Sequence, residues 1–187
     1  HTPVPDQRPS VGVGARGGLG PVRNVARLKR VKALAPQRIE VFAADDSQKT
    51  AADGVDPLVA WAKSMTDGYG VDSVLDCLPA GASAATMMRA LYTLRRGGRA
   101  AAVGVVMENL PINGYWLMTN RIGLQGSVWF TTGEGEDMAA MAAAGTLDLS
   151  PLEHRIFPLT QVNEALTGMD NRNGGFTNFI VDPTRAG

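Results

Sequence analysis

The stretch VGVGARGGLG, residues 11–20, constrains the fold of this chain more than any other. A short apolar run breaks there into a glycine-rich loop, and a basic amphipathic segment, residues 21–35, follows at once. In that order they make a strand–turn–helix corner, the opening of an α/β unit. At such a corner the free N–H groups of the first helical turn face the space above the loop, where they suit an anion such as a diphosphate. Ala15, Gly17 and Gly20 stand in an A-x-G-x-x-G spacing, with Gly14 and Gly18 adding freedom. Small residues let the chain turn tightly, let its backbone approach a diphosphate, and let helix and strand pack closely. A glycine connector without a ligand has the same local look, so the surroundings decide. Arg16 reads as a solvated side chain.

Those surroundings alternate strand and helix. Residues 1–10 carry three prolines and read as an extended lead-in. Pro21 suits a first helical position, and Val22, Val25, Ala26, Leu28, Leu34 and Ala35 form an apolar stripe that Pro36 ends. RIEVFAA (38–44) reads as a second strand, PLVAWAKSMT (57–66) as a helix and VDSVLDCL (71–78) as a strand. A helix over 82–94 is closed by the turn signal RRGG (95–98), and RAAAVGVV (99–106) is apolar throughout, like strands buried inside parallel sheets. Helix 113–120, strand 122–130, helix 134–144, strand 154–159, helix 160–169 and a last strand, FTNFIVD, complete the order. The alternation predicts an α/β fold with a parallel sheet.

At 187 residues there is room for one good core but not for two ordinary domains with linkers. Eighteen basic and 18 acidic residues leave no net field, so neither nucleic acid nor an anionic membrane is an expected partner. No apolar run approaches the length of a membrane span. Cys77 is the only cysteine, which excludes an intrachain disulfide and makes a reducing cytoplasm the expected setting. His1 and His154 with that one thiol do not make a Cys/His zinc set unless carboxylates join them, so no metal site is expected. The sequence opens on His1 without a signal pattern, leaving a processed chain, a fragment and an excised domain all open.

Few single residues carry chemistry by themselves. Asp45 lies about 25 residues past the loop, at the exit of the second strand. A carboxylate there can accept from both hydroxyls of an adenosine ribose and repels a 2′-phosphate. Asp-Asp-Ser equally favours a plain turn, and Arg38 and Lys49 are nearby contrary charges, so NAD over NADP is only a lean. Cys77 reads as a small buried hydrophobe, and His154 as a structural imidazole. Trp116, Trp129, Phe130, Met87 and Met88 read as core or interface. Asp72 and Asp76 share one strand face but have no partner for acid–base work, and no catalytic residue is assigned.

Six stretches together resemble the coenzyme-binding half of the medium-chain dehydrogenase/reductase superfamily, the zinc-type alcohol dehydrogenases and quinone reductases. They are GARGGLG (14–20), GYGVDSVLDCLPAG (68–81), LRRGGRAAAVGV (94–105), IGLQGSVWF (122–130), AAGTLDLSPLEHRIFPLTQVNEAL (143–166) and NGGFTNFIVDP (173–183), in the family's order. The resemblance implies a Rossmann-type, doubly wound parallel sheet binding NAD or NADP at its strand ends. It implies that Gly17, Gly18, Leu19 and Gly20 meet the pyrophosphate and Asp45 the ribose. Backbone at Val103, Gly104 and Val105, and at Ser127 and Val128, would lie along the nicotinamide. Asn178 falls where some members carry a pyrophosphate-binding arginine. Residues 11–150 would be the NAD(P)-binding domain, and 151–187 the segment that returns to the family's catalytic domain. Strand 122–130 would join two such domains in a homodimer.

Two departures from the family stand out. Its N-terminal catalytic domain, with the zinc ligands, is not among these residues. The stretch from Asp45 to Gly70 is also short, leaving room for the sheet to lack one strand. The parent activity implied is hydride transfer between the nicotinamide cofactor and an alcohol, carbonyl or enone. The rival readings are a non-catalytic dinucleotide-binding or oligomerisation module, and a Rossmann methyltransferase. The ordered carboxy-terminal motifs weigh against the methyltransferase.

Overall fold

Parallel strands cannot be joined by a tight turn; each needs a crossover, usually a helix. The computed structural model, which describes residues 25–43, 54–171 and 176–185, follows that rule. These residues fall into two compact units.

The unit within residues 42–130 holds α2 (Pro57–Ser64), β1 (Val71–Asp76), α3 (Ala84–Leu91), β2 (Leu94–Ala102), α4 (Gly114–Asn120) and β3 (Gly123–Gly126). The strands form one parallel sheet in the order β1-β2-β3, with Val74 beside Ala100 and Ala100 beside Leu124. Crossover α3 buries its apolar side on one face, and α4 sets Trp116 against the same cluster. Met88, Leu91, Leu94 and Ala100 form the core there, with Val74, Ile112, Trp116 and Ile122 packed against it. Consecutive parallel strands with their helices on one face make one wing of a doubly wound sheet. α2 packs on α3. Pro57 opens α2, where its missing N–H costs nothing, and the Asp56 carboxylate caps the helix by accepting from the Leu58 N–H at 2.8 Å. The same carboxylate takes the Arg89 guanidinium of α3 at 2.6 Å. Ser83 caps α3, accepting from the Thr86 N–H.

The other unit combines α1 (Val25–Leu34) with α5 (Thr132–Ala143), β4 (Glu153–Pro158), α6 (Val162–Asn171) and β5 (Thr177–Asp182). β4 and β5 pair in parallel from Glu153–Thr177 to Pro158–Asp182, with α6 as their crossover. Gly168 of α6 lies so close to the Phe179 ring that a Cβ there would collide with it. Phe179 stacks on Phe157 at 6.0 Å, and the Arg155 guanidinium lies over both rings. Arg30 of α1 ion-pairs with Glu153 and lies over the Phe176 ring. A capping box starts α5: Thr131 accepts from the Glu134 N–H, and the Glu134 carboxylate accepts from the Thr131 N–H at 2.7 Å. Those Thr131 bonds hold the Glu134 carboxyl below the usual range.

Several expectations shift in detail. Where a strand is expected at 38–44, the described residues are 38–43; among them only Phe42 makes a strand pairing, a single bridge, and its ring lies 5.2 Å from Trp61. RRGG (95–98) does not end a helix but lies within β2 as a bulge. β1 advances from Val71 to Ser73 while β2 advances from Leu94 to Arg99, so three extra residues loop out of the ladder. β3 stops at Gly126, well short of 130. On α1, Leu28 is buried while Ala26 and Leu34 are exposed, so the expected stripe is narrower. The strand expected at 11–15 lies outside the described residues, and among those described no helix is long and apolar enough to cross a membrane.

Candidate functional site

The carboxyl ends of β1, β2 and β3 lie side by side, and the chain crosses them in three short loops. Ligands of open α/β sheets bind at such strand ends. β1 closes on Asp76, which is only 5% exposed. Its Oδ1 accepts from the Leu78 N–H at 2.9 Å. The Asp76 carbonyl accepts from the Val103 N–H at 3.1 Å, and the Leu78 carbonyl from the Val105 N–H at 2.9 Å. Residues 76–78 and 103–105 are thereby zipped together just beyond the sheet. The Ala102 carbonyl accepts from the Ser127 N–H at 3.0 Å, bringing the end of β3 alongside.

Gly104 makes this close approach possible. A Cβ at that position would stand 2.5 Å from the Leu78 nitrogen and 2.8 Å from each Asp76 oxygen. Beneath it, Asp76 Oδ2 is buried with no hydrogen-bond partner among the described residues. The N–H groups of Val103, Val105 and Ser127 are all engaged inside the protein. The side chains of Val103 and Val105 are exposed, and Val128 is 82% exposed, so the same region offers an apolar surface.

At the neighbouring start of α3, the Glu108 carboxylate accepts from the Ala84 N–H at 2.8 Å. A carboxylate at a helix start is favoured by the helix dipole, and here it occupies a position that an anionic ligand would otherwise use.

Five of the sequence-derived site residues are therefore brought together: Val103, Gly104, Val105, Ser127 and Val128. Gly17, Gly18, Leu19, Gly20 and Asp45 lie outside the described residues. Asn178 sits on β5, opposite His154. Cys77 is exposed rather than buried, because β1 ends one residue before it. Partial burial, and then the charge of Asp76, push its thiol pKa up, which argues against a nucleophile. Trp129 is no core residue; it is 87% exposed, with a left-handed backbone at φ 57°. Met87 and Met88 are buried, as read. The partners of Asp76 went unread, although an acid among apolar strand residues is itself a signal of specific pairing. Nothing in the sequence ties Glu108 to Ala84. Among the described residues, no three of His, Cys, Asp and Glu gather closely enough to hold a metal ion.

Residues 38–144 match the family model described as zinc-binding dehydrogenase. No curated protein matches the chain. Among solved structures, an alcohol dehydrogenase from Thermus sp. ATN1 is similar over 88% of this chain and 44% of its own, with 22% identity and a TM-score of 0.66. The 2R,3R-butanediol dehydrogenase of Bacillus subtilis is similar over 94% of this chain and 46% of its own, with 15% identity and a TM-score of 0.70. The benzyl alcohol dehydrogenase of Acinetobacter calcoaceticus is similar over 89% and 42%, with 15% identity and a TM-score of 0.63. At these identities the likeness is one of fold, and the chain spans less than half the length of each of the three.

Proposed function

This chain belongs to the zinc-binding dehydrogenase family, and from that premise we propose that it is the NAD(P)-binding part of an alcohol dehydrogenase-like oxidoreductase. Residues 11–150 would form the dinucleotide domain, and 151–187 the segment leading to the family's catalytic domain. The carrying observation is the floor at the strand ends, where Gly104 seats residues 103–105 directly on Asp76 and Leu78. A nicotinamide riboside is proposed to lie along residues 103–105 and 127–128, as the resemblance to the family implies. Val103, Val105 and Val128 would give the ring an apolar face. Gly17, Gly18, Leu19 and Gly20 are proposed for the pyrophosphate and Asp45 for the adenosine ribose, which favours NAD. When bound, the cofactor supplies or accepts hydride in exchange with an alcohol, carbonyl or enone; this chain's residues hold and orient it. The family's zinc does not fit the described residues, which offer no ligand cluster, and no step is assigned to it.

β3 is an edge of the three-stranded sheet, followed by exposed Val128, Trp129 and Phe130. Exposed edges of this kind need a partner or a cover, which supports a homodimer through residues 122–130. Titration of the purified chain with NADH and NADPH, followed by nicotinamide fluorescence, tests the cofactor reading. Saturable binding, tighter for NADH, is expected; no binding of either at millimolar concentration refutes it. Binding without turnover of any alcohol or ketone would assign the chemistry to residues outside this chain.

A further inference from the structure

At the opposite, amino-terminal end of the same sheet, a cleft of about 530 Å³ opens. Its walls bring three cations, Lys63, Arg95 and Arg96, together with three aromatic rings, Tyr69, Tyr92 and Trp116. We propose that this cleft is a second binding site, for a small aromatic phosphate monoester, distinct from the strand-end site and independent of whether a dinucleotide binds there.

Two of the cations, Arg95 and Arg96, are placed there by the bulge, and Lys63 comes from α2. Gly97 adopts φ +79°, and a Cβ on Gly98 would stand 2.9 Å from the Arg95 carbonyl oxygen and 3.2 Å from that of Asp72. Two glycines thus let three extra residues fold out of β2, giving up ladder pairing and presenting consecutive arginines at one cleft. Bulges commonly re-aim side chains in this way. Arg95 is ion-paired with Asp72. Lys63 and Arg96 have no carboxylate partner among the described residues. Two uncompensated cations match the charge of a phosphate monoester near neutral pH, which is close to a dianion, and a guanidinium can meet phosphate with two parallel hydrogen bonds.

The rings supply the other half of the recognition. Tyr92 and Trp116 meet edge to face, with centroids 5.0 Å apart and planes at 77°. Trp116 also packs against the core cluster beneath, so this wall is anchored. Tyr69 stands exposed at the rim, on a turn pinned by the Gly68 N–H to the Lys63 carbonyl at 2.8 Å and the Gly70 N–H to Thr66 Oγ1 at 2.9 Å. Such a surface stacks a planar ring beside the cations. The volume lies in the range of small-molecule sites. The chain carries no net charge to draw a long polyanion, so a small molecule is favoured over a single-stranded nucleic acid.

Phenyl phosphate is the probe, because it contains neither a nucleoside nor a diphosphate. It is titrated by calorimetry into the full 187-residue chain and into the surface variants Lys63→Gln and Arg96→Gln, singly and together. Saturable binding is expected, with inorganic phosphate and phenol each at least about tenfold weaker. Each single variant should weaken phenyl phosphate, and the double variant should weaken it by about tenfold or more. NADH titrations, run in parallel, should be the same for all four proteins, so failure of one site is told apart from failure of the other. The proposal is overturned if phenyl phosphate does not bind, if the double variant binds it as well as the parent, or if inorganic phosphate binds equally well. Displacement of phenyl phosphate by an oligonucleotide at far lower concentration would overturn it in favour of a nucleic-acid surface.

Discussion

Replacing Gly104 by alanine adds one methyl group at the most crowded point of the strand-end site. Its backbone is not in the left-handed region, so the effect is steric rather than torsional. The new Cβ would stand 2.5 Å from the Leu78 nitrogen and 2.8 Å from both Asp76 oxygens. Relief requires moving either backbone or a buried carboxylate, since no flexible side-chain tip is in the way. Overpacking of this kind costs about 1–3 kcal/mol. Displacing Asp76 also loses its 2.9 Å bond from the Leu78 N–H, about 1 kcal/mol more. A total of roughly 2–4 kcal/mol corresponds to a fall in melting temperature of roughly 5–15 °C for a chain of this size. Gly126→Ala is the matched control. It adds the same methyl at the end of β3, where nothing lies within 4 Å of the new atom, and should change stability by no more than about 0.5 kcal/mol. Urea titrations followed by far-ultraviolet circular dichroism give both stabilities. NADH binding should weaken in Gly104→Ala and persist in Gly126→Ala. Equal midpoints for the two variants would refute the argument that residues 103–105 are seated on Asp76 and Leu78.

Asp56→Ala removes the cap of α2 and the partner of Arg89 together, and should cost about 1–2 kcal/mol. Asp56→Asn keeps a capping oxygen and should recover much of that loss; an asparagine variant as unstable as the alanine one would argue against the cap. Glu153 is held below the usual carboxylate range, first by its hydrogen bond from Arg30 and then by that from Thr177. The folded chain therefore takes up this proton at lower pH than the unfolded chain, so the stabilising contribution is complete above the ordinary glutamate pKa and fades as pH falls through it. Glu153→Gln should flatten the acid limb of the stability–pH curve below about pH 5, and an unchanged limb would remove this ion pair from the account.

Local chemistry made the helices legible. Pro57 marked the start of α2, and Met87 and Met88, read as core or interface, are buried on α3. Pairing was harder to read. Arg95-Arg96-Gly97-Gly98 carries the signal of a turn, and a bulge uses the same residues; only the neighbouring β1 decides which forms. RIEVFAA has strand composition, but among the described residues it contributes only the bridge at Phe42, whose ring packs on Trp61. Positions 103–105 and 127–128 were picked out by the family resemblance, inside strands read as 99–106 and 122–130; β2 in fact ends at Ala102 and β3 at Gly126. The bond from the Ala84 N–H to Glu108 joins segments 24 residues apart, whose relation exists only after the sheet has formed.

The ion pair between Arg30 and Glu153 joins residues 123 positions apart, and the whole unit between residues 42 and 130 is made in the interval. On a ribosome adding roughly 5–20 residues per second, α1 would wait roughly 6–25 s for β4 to be synthesised. The three-stranded sheet, whose strand pairs all lie between residues 71 and 126, has time to form first. Nascent α1 spends that time without the segment it clasps. A chain released before β4 would therefore carry a completed sheet and an orphaned first helix, which makes the order of synthesis part of how this fold is reached.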